Sequence, residues 1–311
     1  MAGEKKAVSF SQQVKKEVMQ RQVENPCCVA AVCYGIACFS KYFDARGVVL
    51  HTEQAYTARW AKTMFRAAGV AGNATVRGRH AASYEFAVKD PYEVEKMLAM
   101  FGHSGEETAL RLNGDNLNCS GCVAGFVGAA FVCCGTVVNP ELGYTLEFVS
   151  PRYSLMRDFA ALLQHQGFSP KLTNRKGANV LYLKASEQIE DLLTTMGASL
   201  SAMEIMNLKV YKGLRNQANR VTNCETANID KMVNANLQML EAIRLLEERD
   251  ILGALPAPLQ QAAALRKAFP EHSLAELAAA SDVPVSKSGL SHRFKKLREK
   301  AAEIQENPHE K

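Results

Sequence analysis

The chain has 311 residues, of which 47% are hydrophobic and 22% are charged. These proportions are close to those of an average globular protein, so they exclude a disordered, collagen-like or coiled-coil chain. The length suits about two domains of roughly 150 residues each. The formal net charge is only +5, and a charge this small indicates a partner only if it is concentrated in one segment.

Nine cysteines are the unusual feature of the composition. Most of them lie inside hydrophobic runs, and residues 1–25 contain no hydrophobic stretch typical of a signal peptide. A secreted disulfide scaffold would be more polar around its cysteines. We therefore expect a reducing, cytoplasmic location, with cysteine used mainly as a small core residue.

One long uncharged run lies between Asp115 and Glu141. Its apolar part is shorter than the ~20 residues that a membrane-spanning helix needs, and no basic cluster flanks it. The run therefore predicts a helix buried inside protein, and no membrane partner is expected.

Two copies of one unit occur at residues 27–102 and 119–197. Each copy has an apolar segment containing glycine and cysteine, a strand-like run, a helix that ends on glycine, two more strand-like runs and an amphipathic helix. The order is helix, strand, helix, strand, strand, helix, give or take one strand near the start of each copy. It predicts two sheets, each covered by helices on one face and free on the other.

From about residue 200 the chain is predicted to be helical. One helix is expected at residues 199–217 and a second at residues 225–249, where apolar residues recur at steps of three and four. Pro256 and Pro258 would end any helix in the next segment, which indicates a linker.

The last fifty residues have the pattern of a helix-turn-helix. A helix at residues 258–269 is followed by Ser273 and Glu276, which form a capping box and begin a short helix. Pro284 cannot continue that helix and marks a tight turn, after which a final helix is expected at residues 286–300. Two short helices, a tight turn and a basic second helix together predict a DNA-binding motif.

The positive charge of the chain is concentrated in this final helix. Residues 287–300 carry a net charge of +5, so the rest of the chain sums to zero. Side chains near the start of such a helix can reach base edges, and those further along neutralise phosphates. A solvated basic surface helix is the alternative. The candidate DNA-binding residues are Ser286, Lys287, Ser288, Ser291, His292, Arg293, Lys295, Lys296 and Arg298.

Two segments, SKSGLSHRFKKL at 286–297 and NQANRVTNCETANIDKMVNANL at 216–237, closely resemble the WhiA family of bacterial regulators, as does the Cys27–Cys28 pair. The resemblance covers nearly the whole chain. It implies an α+β fold, in which a duplicated αββαββα domain with pseudo-twofold symmetry, like that of LAGLIDADG homing endonucleases, precedes an all-α helix-turn-helix domain. It also implies a sequence-specific DNA-binding transcriptional regulator of cell division or sporulation in Gram-positive bacteria, without nuclease activity and located on the nucleoid.

The resemblance also suggests boundaries and partners. Five segments are expected, namely an N-terminal helical arm at 1–26, a LAGLIDADG-like domain at 27–217, a helical linker at 218–257, a helix-turn-helix domain at 258–302 and a disordered tail at 303–311. The expected partners are double-stranded promoter or operator DNA and, beside it, another transcription factor or RNA polymerase. A nucleoid-associated cell-division protein that acts mainly through protein partners and an active metal-dependent homing endonuclease stay as alternatives.

LAGLIDADG endonucleases place an acidic residue before the final glycine of each motif helix, where the pair binds divalent metal. In the second copy Cys134 stands at that position, before Gly135. In the first copy Ser40 does, followed by Lys41, and the nearest acid is Asp44. Since neither copy supplies a carboxylate, we predict no catalytic residues and no cleavage.

The spacing Cys119-x-x-Cys122 is half of a zinc-site pattern, and a single pair is a weak signal. A four-thiolate cluster with Cys27 and Cys28 is one alternative. The favoured interpretation is structural thiols, with no metal and no cofactor.

A further basic group lies at two matching strand turns of the two copies. These secondary candidates for DNA contact are Arg77, Arg79, Lys171, Arg175 and Lys176. Ordinary exposed turn charges are the alternative. The acidic residues Glu53, Glu85 and Glu147 in neighbouring strands favour a protein or another ligand on this face.

Overall fold

Both repeats have the same order of elements in the computed structural model, which describes residues 8–77 and 83–306. Helix α1 (Phe10–Gln20) precedes them. The first repeat consists of α2 (Pro26–Phe39), β1 (Tyr42–Asp44), β2 (Gly47–Thr52), α3 (Ala55–Ala67), β3 (Asn73–Arg77), β4 (Ser83–Val88) and α4 (Pro91–Phe101). The second consists of α5 (Ser120–Cys134), β5 (Gly135–Val137), β6 (Leu146–Ser150), α6 (Tyr153–His165), β7 (Lys171–Arg175), β8 (Ala178–Leu183) and α7 (Ser186–Met196). The predicted duplicated α+β fold is confirmed.

Each repeat forms a four-stranded antiparallel sheet, with the equivalent strand orders β1-β2-β4-β3 and β5-β6-β8-β7. Alternate residues of a strand point to opposite faces. In β2, Val48 and Leu50 are buried against the helices, whereas His51 lies on the other face and pairs in register with Glu85 of β4. Each sheet therefore has one face covered by helices and one open face, as the order of helices and strands in the sequence predicted.

The two uncharged helices α2 and α5, one from each repeat, pack side by side at the centre of the duplicated domain. A Cβ atom added at Gly35 would lie 2.8 Å from the Cβ of Ala129, and one added at Gly125 would lie 2.8 Å from the Cγ2 of Val32. Small residues thus allow the two backbones to approach closely. Because the contacts advance in the same direction along both helices, α2 and α5 run parallel, with their N-termini at one end and their C-termini at the other.

The chain divides into two compact units between Lys212 and Gly213, whereas the sequence placed this boundary after residue 217. A single helix, α8 (Ser199–Glu248), spans the boundary where the sequence predicted two helices. The segment between the two predicted helices, residues 218–224, holds two asparagines and one threonine but no proline, so nothing in it prevents a continuous helix.

The second unit continues with a 3₁₀ turn (Leu252–Ala254), α9 (Ala257–Ala268), α10 (Leu274–Ala279) and α11 (Lys287–Glu306). Its core includes Met239, Ile243 and Leu246 of α8, which lie in the segment that the sequence assigned to a linker at 218–257. These residues belong instead to the core of the helix-turn-helix, because three more helices cover their apolar side chains. Helix α11 also continues through residues 303–306, which the sequence assigned to a disordered tail; residues 307–311 lie outside the described part of the chain.

Within residues 8–77 and 83–306, no helix combines the length and the apolar character needed to span a membrane. Helix α5, which holds most of the uncharged run, has 15 residues, and its side chains are mostly buried in the first unit.

Candidate nucleic-acid interface

Helix α11 begins with a serine cap. The hydroxyl of Ser286 accepts a hydrogen bond of 3.0 Å from the backbone N–H of Gly289, and it lies 3.0 Å from the hydroxyl of Ser288. Leu290, Phe294 and Leu297 are buried against the other helices of the unit. These residues define the inner face that the sequence predicted, and they fix which face of α11 points to solvent.

The predicted DNA-binding residues are arranged around the outer side of α11. Eight of the nine are exposed and Arg293 is half-buried. At 100° per residue, Ser288, Ser291, His292 and Lys295 lie roughly opposite the buried face. Of the basic residues, Lys295 lies 3.8 Å from the carboxylate of Glu299, an exposed contact that contributes little. Within the described residues, Lys287, Arg293, Lys296 and Arg298 form no salt bridge.

A capping box orients the helix before the turn. The Ser273 N–H donates a 2.7 Å hydrogen bond to Glu276, and the Ser273 hydroxyl accepts one of 3.3 Å from the Glu276 N–H. The Ser273 N–H holds the pKa of the Glu276 carboxyl below its usual range. Both hydrogen bonds of the predicted capping box are therefore present at the start of α10.

Arg266 is a buried residue of this unit that the sequence did not single out. Its Nη1 donates hydrogen bonds to the backbone oxygens of Pro270 and His272, at 3.3 Å and 2.6 Å. Its guanidinium also lies 5.3 Å from the ring centre of Phe294. Burial lowers the pKa of this arginine. Arg266 thus connects the segment between α9 and α10 to the inner face of α11. The sequence did not indicate that this arginine is buried, because an arginine in the last turn of a helix is ordinarily exposed.

The open face of the first sheet carries a charged cluster centred on Glu85. Its carboxylate lies 2.9 Å from Lys89, 3.1 Å from His51 and 3.5 Å from Arg77. The Lys89 ammonium is the main reason that the pKa of Glu85 lies below its usual range. Arg77, one of the predicted secondary DNA contacts, therefore forms an ion pair within the sheet, whereas Arg79 lies outside the described residues.

The second sheet repeats this arrangement. Arg175 donates a 2.8 Å hydrogen bond to Glu147 and lies over the ring of Tyr182. Two of the three acidic residues that favoured a protein partner for these faces, Glu85 and Glu147, are therefore neutralised by basic neighbours on the same sheets, whereas Glu53 is exposed and forms no salt bridge with the described residues. Lys171 and Lys176, the other two secondary candidates, are exposed.

The C-terminal ends of α2 and α5 are where an endonuclease of this fold would carry its acids. Cys134 is the last residue of α5, and Ser40 caps α2. Arg152 donates two hydrogen bonds of 2.7 Å to the backbone oxygens of Cys38 and Ser40. Lys15 of α1 is the second cation at this end. Burial lowers the pKa of its ammonium, and the thiols of Cys133 and Cys134 raise that pKa.

Asp44, the acid nearest to this end of α2 in sequence, has a partner already. Its carboxylate accepts hydrogen bonds from Arg46, one of them 2.6 Å long, and the guanidinium holds the pKa of Asp44 below its usual range. Among the described residues, the two positions that would carry the acids thus hold Ser40 and Cys134, with Arg152 and Lys15 beside them, while the exposed Glu53 shares a pocket with Lys15.

At the opposite end of the helix pair, the structure brings together four cysteines, for which the sequence favoured structural thiols and kept a four-thiolate cluster as an alternative. The Sγ atoms of Cys27, Cys28, Cys119 and Cys122 all lie within 4.8 Å of one another.

Two models of one protein family match this chain. The WhiA LAGLIDADG-like domain matches residues 123–215, and the WhiA C-terminal HTH domain matches residues 218–301. Together they cover more than half of the chain.

Among curated proteins, the "Probable cell division protein WhiA" of Clostridium botulinum (strain Hall) is 38% identical over 190 residues, which are 61% of this chain and 60% of that protein. The protein of the same name from Clostridium perfringens (strain SM101) is 40% identical over 179 residues, which are 58% of this chain and 57% of that protein. The matched region thus spans about 60% of the length of these relatives.

Among solved structures, full-length DUF199/WhiA from Thermotoga maritima superposes with a TM-score of 0.61 at 18% sequence identity. The superposition covers 95% of this chain and 98% of that one, so the two chains share a fold.

Proposed function

The chain belongs to the WhiA family, and we propose that it is a sequence-specific DNA-binding regulator of genes for cell division or sporulation, in which α11 enters the major groove of operator DNA. The supporting observation is the solvent face of α11, where basic and hydroxyl side chains stand opposite a buried apolar face. A helix-turn-helix places the start of its second helix against base edges. Ser288, Ser291 and His292 are therefore assigned to bases, and Lys296 and Arg298 to phosphates.

The test of this assignment is a pair of variants with equal loss of charge. The operator is first located by chromatin immunoprecipitation and a footprint. We expect the variant Lys296→Ala/Arg298→Ala to bind it more weakly, with a salt slope smaller by about 0.9 for each lost phosphate contact. The control is Lys231→Ala/Arg249→Ala, which removes two exposed cations from α8 and the segment after it. Equal operator affinity for the wild type and the α11 variant would contradict the role of this helix.

We further propose that the LAGLIDADG-like domain does not cleave DNA. Metal-assisted hydrolysis needs carboxylate oxygens that hold the ion between the scissile phosphates. This chain has Ser40 and Cys134 at the two helix ends, and the half-buried cations Arg152 and Lys15 beside them. Positive groups at this place would repel a divalent ion. The test is incubation of the protein with magnesium or manganese and a plasmid that carries the operator. A nick at the bound site would overturn the proposal.

The proposal includes a cytoplasmic place on the nucleoid and contact with another transcription factor or RNA polymerase at the regulated promoters. The test compares the promoters that the protein occupies across the genome with the transcripts that change when the protein is depleted. Changes in the transcripts of occupied promoters are expected. Occupancy without transcript changes would favour the alternative of a nucleoid-associated protein that acts mainly through protein partners.

A further inference from the structure

The four clustered cysteines lie at the N-terminal ends of the two central helices. Cys27 and Cys28 are the second and third residues of α2. Cys119 is the N-cap residue of α5, and Cys122 is the third residue of that helix. Because α2 and α5 run parallel and side by side, residues about 90 positions apart in the chain meet at one end of the helix pair.

The sulfur positions fit one tetrahedral ion. Four thiolates at the usual zinc–sulfur distance of about 2.3 Å are separated from one another by about 3.8 Å. Of the six Sγ–Sγ distances, four are 3.9 Å for Cys27 and Cys28, 3.6 Å for Cys28 and Cys119, 3.3 Å for Cys119 and Cys122, and 3.9 Å for Cys28 and Cys122, and the other two are within 4.8 Å. A disulfide needs a sulfur separation of about 2.05 Å. An iron–sulfur cluster of several irons spreads its cysteines over different irons and holds them farther apart than a single ion does.

A backbone N–H group and the N-terminal ends of two helices lie beside the cluster. Cys119 Sγ accepts a 3.4 Å hydrogen bond from the backbone N–H of Cys122. The N-terminus of a helix carries partial positive charge, and here two helix N-termini point at the same four sulfurs. The anionic complex of one divalent ion with four thiolates would therefore be stabilised at this end of the helix pair.

Gly121 provides the space for the cluster. A Cβ atom at this position would lie only 2.8 Å from Cys28 Sγ and 3.6 Å from Cys119 Sγ. Ala31 packs against the buried thiols of Cys28 and Cys122, and the partly buried Val23 and Leu117 adjoin them. Two sulfurs are thus buried under apolar side chains, while Cys27 and Cys119 are exposed and give an ion a path of entry.

We propose that Cys27, Cys28, Cys119 and Cys122 bind one zinc ion through four thiolates. The protein fills all four positions of the ion, so none is left open for water or substrate, and the site is structural rather than catalytic. The ion joins the first turn of α2 to the N-cap and first turn of α5, and so ties the first repeat to the second. This site is independent of the DNA-binding role proposed for α11.

The experiment uses the full chain, produced in zinc-containing medium and purified anaerobically without chelator. Elemental analysis is expected to find one zinc per chain. Replacement of zinc by Co²⁺ is expected to give the strong visible bands and the near-ultraviolet charge-transfer band of a tetrahedral cobalt thiolate. No zinc and no cobalt signal in the wild-type chain would overturn the proposal, as would iron accompanied by acid-labile sulfide, or a disulfide between Cys119 and Cys122 in the protein as isolated.

Variants then locate the site. Cys27→Ser and Cys119→Ser each remove an exposed ligand, and each is expected to lose the cobalt charge-transfer band or to reduce its intensity. Cys224→Ser removes an exposed cysteine of α8 and is the matched control, which keeps one zinc per chain. Gly121→Val keeps all four thiols but fills their space, and we expect its zinc affinity to fall about 10- to 100-fold, as for other changes beside metal ligands. Full zinc content in both ligand variants would contradict the assignment.

Discussion

Arg152 Nη1 donates a 2.7 Å hydrogen bond to the backbone oxygen of Ser40, a residue 112 positions earlier in the chain. The same nitrogen donates a second hydrogen bond of 2.7 Å to Cys38, and Nη2 reaches Lys41 at 3.2 Å. The last carbonyl groups of a helix have no partner within the helix. A cation from the second repeat therefore satisfies the C-terminal end of α2 in the first repeat.

Arg152→Met is expected to destabilise the first unit by about 2–3 kcal/mol, because it leaves buried carbonyl oxygens without a donor. The measurement is urea unfolding followed by fluorescence of Trp60, the single tryptophan of the chain, which reports on the first unit. The control is Arg157→Met, which removes an exposed arginine of α6 and is expected to change the unfolding free energy by less than about 0.5 kcal/mol. Equal stabilities of the two variants would contradict this account.

Gly35→Ala tests the close approach of α2 to α5. The added methyl group would lie 2.8 Å from both the Cβ of Ala129 and the backbone oxygen of Phe126, so the helices must move apart. We expect a loss of about 1–3 kcal/mol, which is typical of overpacking. Gly143→Ala adds the same methyl group where no atom lies within 4 Å, and its stability should match that of the wild type. The Trp60 unfolding midpoint distinguishes the two.

Glu85→Gln tests the charged cluster on the open face of the first sheet. Lys89, His51 and Arg77 surround this carboxylate, and its pKa is lowered in the folded chain. A lowered carboxyl pKa contributes stability above its unfolded value of about 4.3, and this contribution is lost as the pH falls through the folded value. We expect the variant to be less stable than the wild type by about 1 kcal/mol at pH 7, and the difference to vanish in acid. A pH-independent difference would show that the contribution is not ionic; the exposed Glu53→Gln serves as the control.

Lys171→Ala/Lys176→Ala tests DNA contact by the LAGLIDADG-like domain. Arg77 and Arg175 form ion pairs with Glu85 and Glu147, so the two lysines are the better candidates for phosphates. The salt slope of operator binding should fall by about 0.9 for each lost contact. Lys62→Ala/Arg66→Ala removes two exposed cations from α3, which covers the helical face of the first sheet. This control should leave the slope unchanged. Identical slopes for both variants would mean that this sheet face does not contact DNA.

Arg266→Met is expected to destabilise the second unit by about 2–3 kcal/mol, because the backbone oxygens of Pro270 and His272 lose a buried donor. Lys267→Met changes the next residue, whose ammonium forms an exposed ion pair with Glu247, and should cost less than about 1 kcal/mol. The measurement is urea unfolding followed by far-ultraviolet circular dichroism. Operator affinity should fall with Arg266→Met at temperatures where the unit unfolds, and stay at the wild-type value below them.

Features with a local cause could be predicted from the sequence. The capping box of Ser273 and Glu276, the buried face of α11 and the strand pairs of both repeats all follow from spacing or periodicity within a few residues. The outward direction of the candidate DNA-binding side chains follows from the same periodicity, whereas their contact with DNA stays a prediction.

Features that depend on contacts between distant segments could not be predicted. The burial of Arg266 depends on the segment between α9 and α10 folding over it, and the pairing of Arg77 with Glu85 depends on the register of two strands. The meeting of Cys28 with Cys119 depends on the packing of α2 along α5, so the sequence could offer a four-thiolate cluster only as an alternative to structural thiols.

The cysteine cluster also bears on the equivalence of the two repeats. Cys28 and Cys122 are each the third residue of their helix, so they occupy matching positions, but the second residue is Cys27 in α2 and Gly121 in α5. A protein assembled from two copies of the first repeat would carry a side chain where Gly121 stands, with its Cβ only 2.8 Å from Cys28 Sγ. The two halves of this domain have therefore diverged at this position since their duplication, and a copy of the first repeat could not take the place of the second without a clash at Cys28.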